Sequence, residues 1–123
     1  MSRSPKAPDD LLPLTPAVFH ILLALADRDR HGYAIMTEVE SATGGRLRMG
    51  PGTLYGSIKR MIAAKLIEES DVRPAEDQDD ERRRYYRLTP FGRKVAAAES
   101  RRVADLAAVA RSKGLTRPAF GKG

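Results

Sequence analysis

The chain has 123 residues, 41% of them hydrophobic, and carries a formal net charge of +6 with a sequence pI near 10.0. That length supports one domain with a single modest core, and the basic balance suits a nucleic-acid or anionic partner. There is no Cys and there are only 2 His, which removes thiol nucleophiles, disulfides and the usual zinc-site spacings.

Residues 1 to 13 hold three Pro and little pattern, and read as a flexible N-terminal arm. No long apolar stretch follows the N-terminus, and the longest apolar run, Ile21 to Ala26, is far too short to span a bilayer. A soluble, cytoplasmic chain with no membrane partner and no cofactor is therefore expected, the absence of Cys agreeing with a reducing compartment. Thr15-Pro16 is a helix start, with the Thr hydroxyl as cap and Pro at the first helical position. Val18, Ile21, Leu22 and Leu25 follow at helical spacing to about Ala26. Asp27-Arg28-Asp29-Arg30 reads as a polar turn, and a second helix runs from about Gly32 to Ala42 with Ile35, Met36 and Val39 as its buried stripe. Thr43-Gly44-Gly45 ends it, since Gly takes a left-handed conformation freely.

The third helix, about Pro51 to Ala64, has two unlike faces. At about 100° per residue, Leu54, Ile58, Met61 and Ile62 gather on one side. Opposite lie Gly52, Gly56 and Ala63, flanked by Thr53, Lys59 and Arg60. From Arg46 to Lys65 there are five cations and no acid. Small residues at the centre and cations at the edges suit close approach to a large anion, and the major groove of DNA is wide enough to take a helix. Two short helices joined in this way form a helix-turn-helix, the second being the candidate reader.

Beyond the third helix the period changes. Leu66 to Ser70 and Arg84 to Leu88 suit two short strands of a hairpin. The polar stretch between them, with Glu76, Asp77, Asp79, Asp80 and Glu81, makes a long tip. Thr89-Pro90 repeats the cap-then-Pro signal and opens a helix to about Lys113, roughly 35 Å long at ~1.5 Å per residue. It carries Phe91, Val95, Val103, Leu106 and Val109. A helix that long outruns so small a core, and a second copy of the chain is the simplest cover for its apolar residues. The expected organisation is a flexible arm over 1–13, a winged-helix DNA-binding domain over 14–89, a dimerisation helix over 90–113 and a flexible tail over 114–123. The fold class is mainly α with a small β-hairpin.

Several separate segments carry a family resemblance: His31-Gly32-Tyr33-Ala34-Ile35, Met49-Gly50-Pro51-Gly52-Thr53-Leu54-Tyr55, Lys59-Arg60-Met61, Leu66-Ile67-Glu68, and Arg83 through Gly92. In this order they resemble the PadR family of bacterial transcriptional regulators over about residues 14 to 94. The resemblance implies a winged-helix repressor that works as a homodimer on double-stranded DNA. Its third helix would enter the major groove, its wing touch backbone or minor groove, and its last helix build the dimer. It also implies, for many members, release from DNA by a small hydrophobic or phenolic effector bound near the dimer interface. Two positions depart from the family pattern: Gly50 stands where Ser or Thr is usual, and Lys65 where Gly is usual. A left-handed Lys65 would cost on the order of 1 kcal/mol.

The candidate DNA-binding residues are Tyr33, Pro51, Gly52, Thr53, Tyr55, Lys59, Arg60, Lys65, Arg82 and Arg83. Lys59 and Arg60 are either solvated surface cations or a phosphate contact and a bidentate contact to guanine, in either assignment. Thr53 and Tyr55 lie near the helix start, where free amides favour a phosphate, although Tyr55 lies between the two faces and can equally serve the core. The resemblance places Tyr33 near the DNA backbone. Arg82, Arg83 and Arg84 either pair with the wing acids or reach the backbone, and Arg84 can pair with a neighbouring strand. His31 reads as structural. A winged-helix module for a protein partner is the competing class, and the acid-free helix lacks the apolar anchors such a surface carries. With no paired catalytic groups, phosphate loop or metal cluster in the sequence, no enzyme activity is expected.

Overall fold

A computed structural model describes residues 6–71 and 84–116. Helix α1 (Pro16–Leu25) starts where Thr15 Oγ1 accepts the Val18 amide at 3.2 Å, with Pro16 in the first turn. It packs against three other helices and a strand, and its Ile21 and Leu22 are completely buried. Side chains so placed contribute ~1.5–3 kcal/mol each. Its last carbonyls are not left to solvent. Arg30 Nε donates to the Ala24 carbonyl at 2.7 Å, and Arg93 Nη2 to that of Ala26 at 3.2 Å, cations being favoured at a helix C-terminus.

Helix α2 (Gly32–Ala42) is capped by an imidazole: His31 Nδ1 accepts the Ala34 amide at 3.2 Å. It ends through Gly44 and Gly45, both at positive φ, with the Gly45 amide donating to the Glu40 carbonyl at 2.8 Å. Thr43 Oγ1 then accepts the Leu47 amide at 3.0 Å, which turns the loop so that Leu47 packs on the core and Met49 enters it.

Helix α3 (Pro51–Ala63) buries Leu54, Ser57, Ile58 and Met61. Ile62, read from the sequence as a fourth anchor, is exposed instead. It sits at the edge of the apolar stripe, where the core no longer reaches. The helix closes in a Schellman motif, the Leu66 amide donating to Met61 at 2.9 Å and the Lys65 amide to Ile62 at 3.0 Å. That motif requires a left-handed residue, and Lys65 takes it at φ 67°.

The hairpin strands are β2 (Ile67–Ser70) and β3 (Tyr85–Leu88), antiparallel, with Glu68 opposite Arg87 and paired to it at 2.9 Å. The sheet has one strand more than a hairpin. Arg30, read as the end of a polar turn, and His31, read at the opening of the second helix, form β1 (Arg30–His31) and pair with Tyr86 and Tyr85. The His31 ring meets Tyr85 edge-on at 5.2 Å. Two residues carry no periodicity, so only the distant partner strand defines this one.

Helix α4 (Pro90–Ser112) is joined to the end of α3 at two successive carbonyls. Leu66 O accepts the Thr89 amide at 3.1 Å, while Thr89 Oγ1 donates to Lys65 O at 2.6 Å and accepts the Gly92 amide at 2.8 Å. Gly92 lies so close to the Leu66 carbonyl that a Cβ has no room there. The first half of α4 is embedded, burying Val95, Ala96, Ala98 and Glu99, and the second half is almost wholly exposed. This corrects the reading of Val95 as a dimer residue: at 0% exposure it belongs to the protomer core. Phe91 is half-buried and packs against the same core.

The stretch read as a flexible arm also differs from that reading over its described part. Pro8–Leu11 forms a 3-10 helix against α4, and Leu11, Leu12 and Leu14 pack on the core. Its tether is Glu99, 2% exposed, which accepts the Leu14 amide at 3.2 Å and two bonds from Arg102 at 2.6 and 2.9 Å. The Arg102 guanidinium holds the Glu99 carboxyl below the usual carboxylate range against the opposing effect of burial, and the Leu14 amide adds to the lowering.

Two outcomes follow. Lys65→Gly relieves the left-handed backbone and stabilises the fold by about 0.5–1 kcal/mol, read as a raised urea midpoint. Glu99→Gln destabilises it by about 1–3 kcal/mol. Because Glu99 titrates lower folded than unfolded, its contribution is complete above about pH 4.3 and lost as pH falls through the depressed native value. Urea melts of the Gln variant should accordingly vary less with pH below about 4.3 than those of the parent chain.

Candidate nucleic-acid interface

The outward side of α3 follows from its buried side. With Leu54, Ser57, Ile58 and Met61 inward, about 100° per residue places Gly52, Gly56, Lys59 and Ala63 opposite them. Thr53 and Arg60 fall on one flank, Tyr55 and Ile62 on the other. Pro51, Gly52, Thr53, Tyr55, Lys59 and Arg60 are all exposed, as is Lys65 just past the helix end. Around Gly50 and Gly52 nothing lies within 4 Å of the Cβ that either lacks, so the backbone at the start of α3 is open to a large partner.

Arg60 is held along this face. Its Nη2 donates to Ser57 Oγ at 3.3 Å, and its Nη1 passes 3.5 Å from where a Gly56 Cβ would stand. Lys59 extends from the centre of the face with no carboxylate on the same helix. The other cations nearby are less uniform. Arg48 pairs with Glu40 at 3.3 Å, both side chains exposed, where an ion pair contributes little. Arg46 is exposed.

Tyr33, in the first turn of α2, is 65% exposed. Arg84 pairs with Glu69 on β2 at 3.0 Å, the strand-pairing option. Arg82, Arg83 and the acids from Glu76 to Glu81 lie outside the described residues. Of the residues proposed to build a dimer, Val103, Leu106 and Val109 are exposed along α4. Among the described residues no helix is long and apolar enough to cross a membrane, and no group of three or more His, Asp or Glu is placed to hold a metal ion.

The model of the transcriptional regulator PadR-like family matches residues 21–98. A transcriptional regulator of Mycobacterium tuberculosis is 38% identical over 89 residues, 72% of this chain and 76% of that protein. An uncharacterised 37.1 kDa protein of a Streptomyces fradiae transposon is 43% identical over 86 residues; the match takes in 70% of this chain but spans only 22% of that relative's length. Among solved structures, a PadR family transcription regulator of Clostridium difficile superposes with a TM-score of 0.66 at 23% identity, covering 80% of this chain and 97% of that one. At that identity the likeness speaks for the fold.

One contact fixes how α3 meets α2, and the sequence held no local sign of it. The Tyr55 ring and hydroxyl lie directly over Gly32, in the space a Cβ would take. Gly32 is buried and Tyr55 is 48% exposed, so the ring spans from α3 to the start of α2 with one edge in solvent. Burial raises the pKa of the neighbouring Tyr86, with Glu69 and then Tyr55 adding to it and Arg84 opposing. Gly32→Ala should therefore cost about 1–3 kcal/mol through overpacking. Adding Tyr55→Ala should remove much of that cost, so that chemical denaturation of the double variant shows a penalty well below the sum of the two singles.

Proposed function

The chain belongs to the PadR-like family of transcriptional regulators, and from that premise we propose that it is a sequence-specific DNA-binding repressor, acting as a homodimer on a palindromic operator. The observation that carries this reading is the outward face of α3, which is free of acid, lined by Gly52 and Gly56, and centred on Lys59. In the major groove the two glycines let the backbone approach, and the open amides after Gly50 meet a phosphate at the positive end of the helix. Lys59 and Lys65 neutralise phosphates, while Arg60, released from Ser57, has the donor fork that fits guanine O6 and N7. Thr53, Tyr55 and Tyr33 add contacts at the margin.

The exposed half of α4 supports the dimer. Val103, Leu106 and Val109 recur every three residues on one side of the helix and are 41%, 55% and 50% exposed. A second copy covers such a stripe by two-fold symmetry. Two reading helices about 34–36 Å apart then meet successive major grooves, and the operator mirrors the symmetry of the protein. Release by a small hydrophobic or phenolic effector completes the reading.

The test uses DNA fragments that the protein captures from its own genome, labelled for polarisation titration. Lys59→Ala and Arg60→Ala should each weaken binding by about 1–3 kcal/mol, with the phosphate-contacting one also lowering the salt slope by about one. Leu106→Asp should sediment as a monomer and lose most operator affinity. Unchanged affinity in both α3 variants would sink the assignment of that face.

A further inference from the structure

An apolar cleft separates the N-terminal segment from the C-terminal half of α3. Its wider compartment, about 570 Å³, is bounded by Lys6, Leu11, Ala63, Ala64, Lys65 and Phe91. A narrower one, about 230 Å³, continues between the stretch Leu11 to Thr15 and the side of α3 that carries Arg60 and Met61. Leu11 and Ala64 line both, so the two adjoin as one elongated groove that is open to solvent. Its size lies in the roughly 300–1,000 Å³ range of small-molecule sites. Lys6 and Lys65 border the wide end and Arg60 the narrow end, and no Asp or Glu is among the described residues that line either.

We infer that this cleft binds a medium-chain fatty carboxylate, its head between Lys6 and Lys65 and its tail running past Leu11 and Ala64 toward Met61. Charge selects the head, since the charged residues of the described lining, Lys6, Lys65 and Arg60, are all cations. Shape selects the tail, since two adjoining apolar compartments of an open groove suit an extended chain better than a compact ring. The strain at Lys65 fits the same reading. Glycine would take φ 67° freely, and the residue that stands there instead brings a cation to the mouth of the cleft. Arg60 borders the narrow end and also lies on the reading face, so a tail that fills the cleft competes for the space Arg60 occupies and weakens DNA binding. The site lies within one protomer. It deepens the effector part of the proposed function, and only its DNA consequence rests on that reading.

The test is calorimetric titration of the full chain, without DNA, with hexanoate, octanoate, decanoate and decan-1-ol. Affinity should rise about fivefold or more with each two-carbon step, and decan-1-ol should bind about tenfold more weakly than decanoate. Lys65→Gly should weaken decanoate about three- to tenfold, while Ala64→Phe, at an exposed position, should abolish its binding with the melting temperature retained. The inference is overturned if decanoate gives no binding heat at millimolar concentration or if both variants bind it as the parent does. It is equally overturned if Leu106→Asp rather than Ala64→Phe removes binding, which places the ligand between protomers, or if binding appears only after residues 1–5 are deleted, which makes the chain its own occupant. With a captured genomic fragment, decanoate should lower DNA affinity about tenfold for the parent and not for Ala64→Phe; equal loss in both overturns the coupling. A chain that binds no genomic fragment leaves the calorimetric result to decide the cleft alone.

Discussion

The carbonyl of Leu66 is the point on which the arrangement of the molecule turns. It follows the left-handed Lys65 that closes α3, precedes the first strand of the wing, and accepts the amide of the residue that caps α4. Gly92 presses against it from the other side. The end of α3, the start of β2 and the distant start of α4 therefore have their directions set at one place. The reading helix cannot rotate without moving the wing, and neither can move without disturbing the start of the long helix. Such shared constraint is what lets a small core present a surface with fixed geometry.

The reading helix is held on both flanks as well as at its end. Toward α2, Tyr55 fills the space that Gly32 leaves. Toward the N-terminal segment, the side that bears Arg60 and Ala64 faces Leu11 and Pro13. Glu99 anchors that segment from α4 through the Leu14 amide. Residues with small or absent side chains recur where elements meet or where the surface must stay open, at Gly32, Gly92, Gly50 and Gly52. The first two are filled by neighbours and the last two by nothing, which separates packing glycines from those of the exposed face.

Much of this was legible in the sequence, for local reasons. Thr15-Pro16 and Thr89-Pro90 announce helix starts through their own side chains, and α2 ends where Gly44-Gly45 allow the turn. The inner and outer faces of α3 follow from spacing alone, except at Ile62, where the angle falls at the margin and only the extent of the core decides. What stayed hidden depends on partners far away in the chain. The 3-10 helix at Pro8–Leu11 is ordered by contacts with α4 and by a carboxylate 85 positions from Leu14. Strand β1 exists because Tyr85 and Tyr86 lie beside it. Val95 and Val103 look alike in the sequence, yet one is enclosed and the other exposed, because the core ends between them.

If a second copy covers the exposed half of α4, as proposed, the division of that helix makes the amount of protein a variable of its own behaviour. Its first half is buried within the protomer, while the stripe along its second half is exposed. With a second copy as the cover proposed for that stripe, the fold strengthens as copies accumulate, by ordinary mass action. A scarce regulator would then be a weaker and more easily degraded one, as well as a dilute one. Occupancy of its target would rise more steeply than in proportion to its synthesis, a threshold response that needs mass action alone.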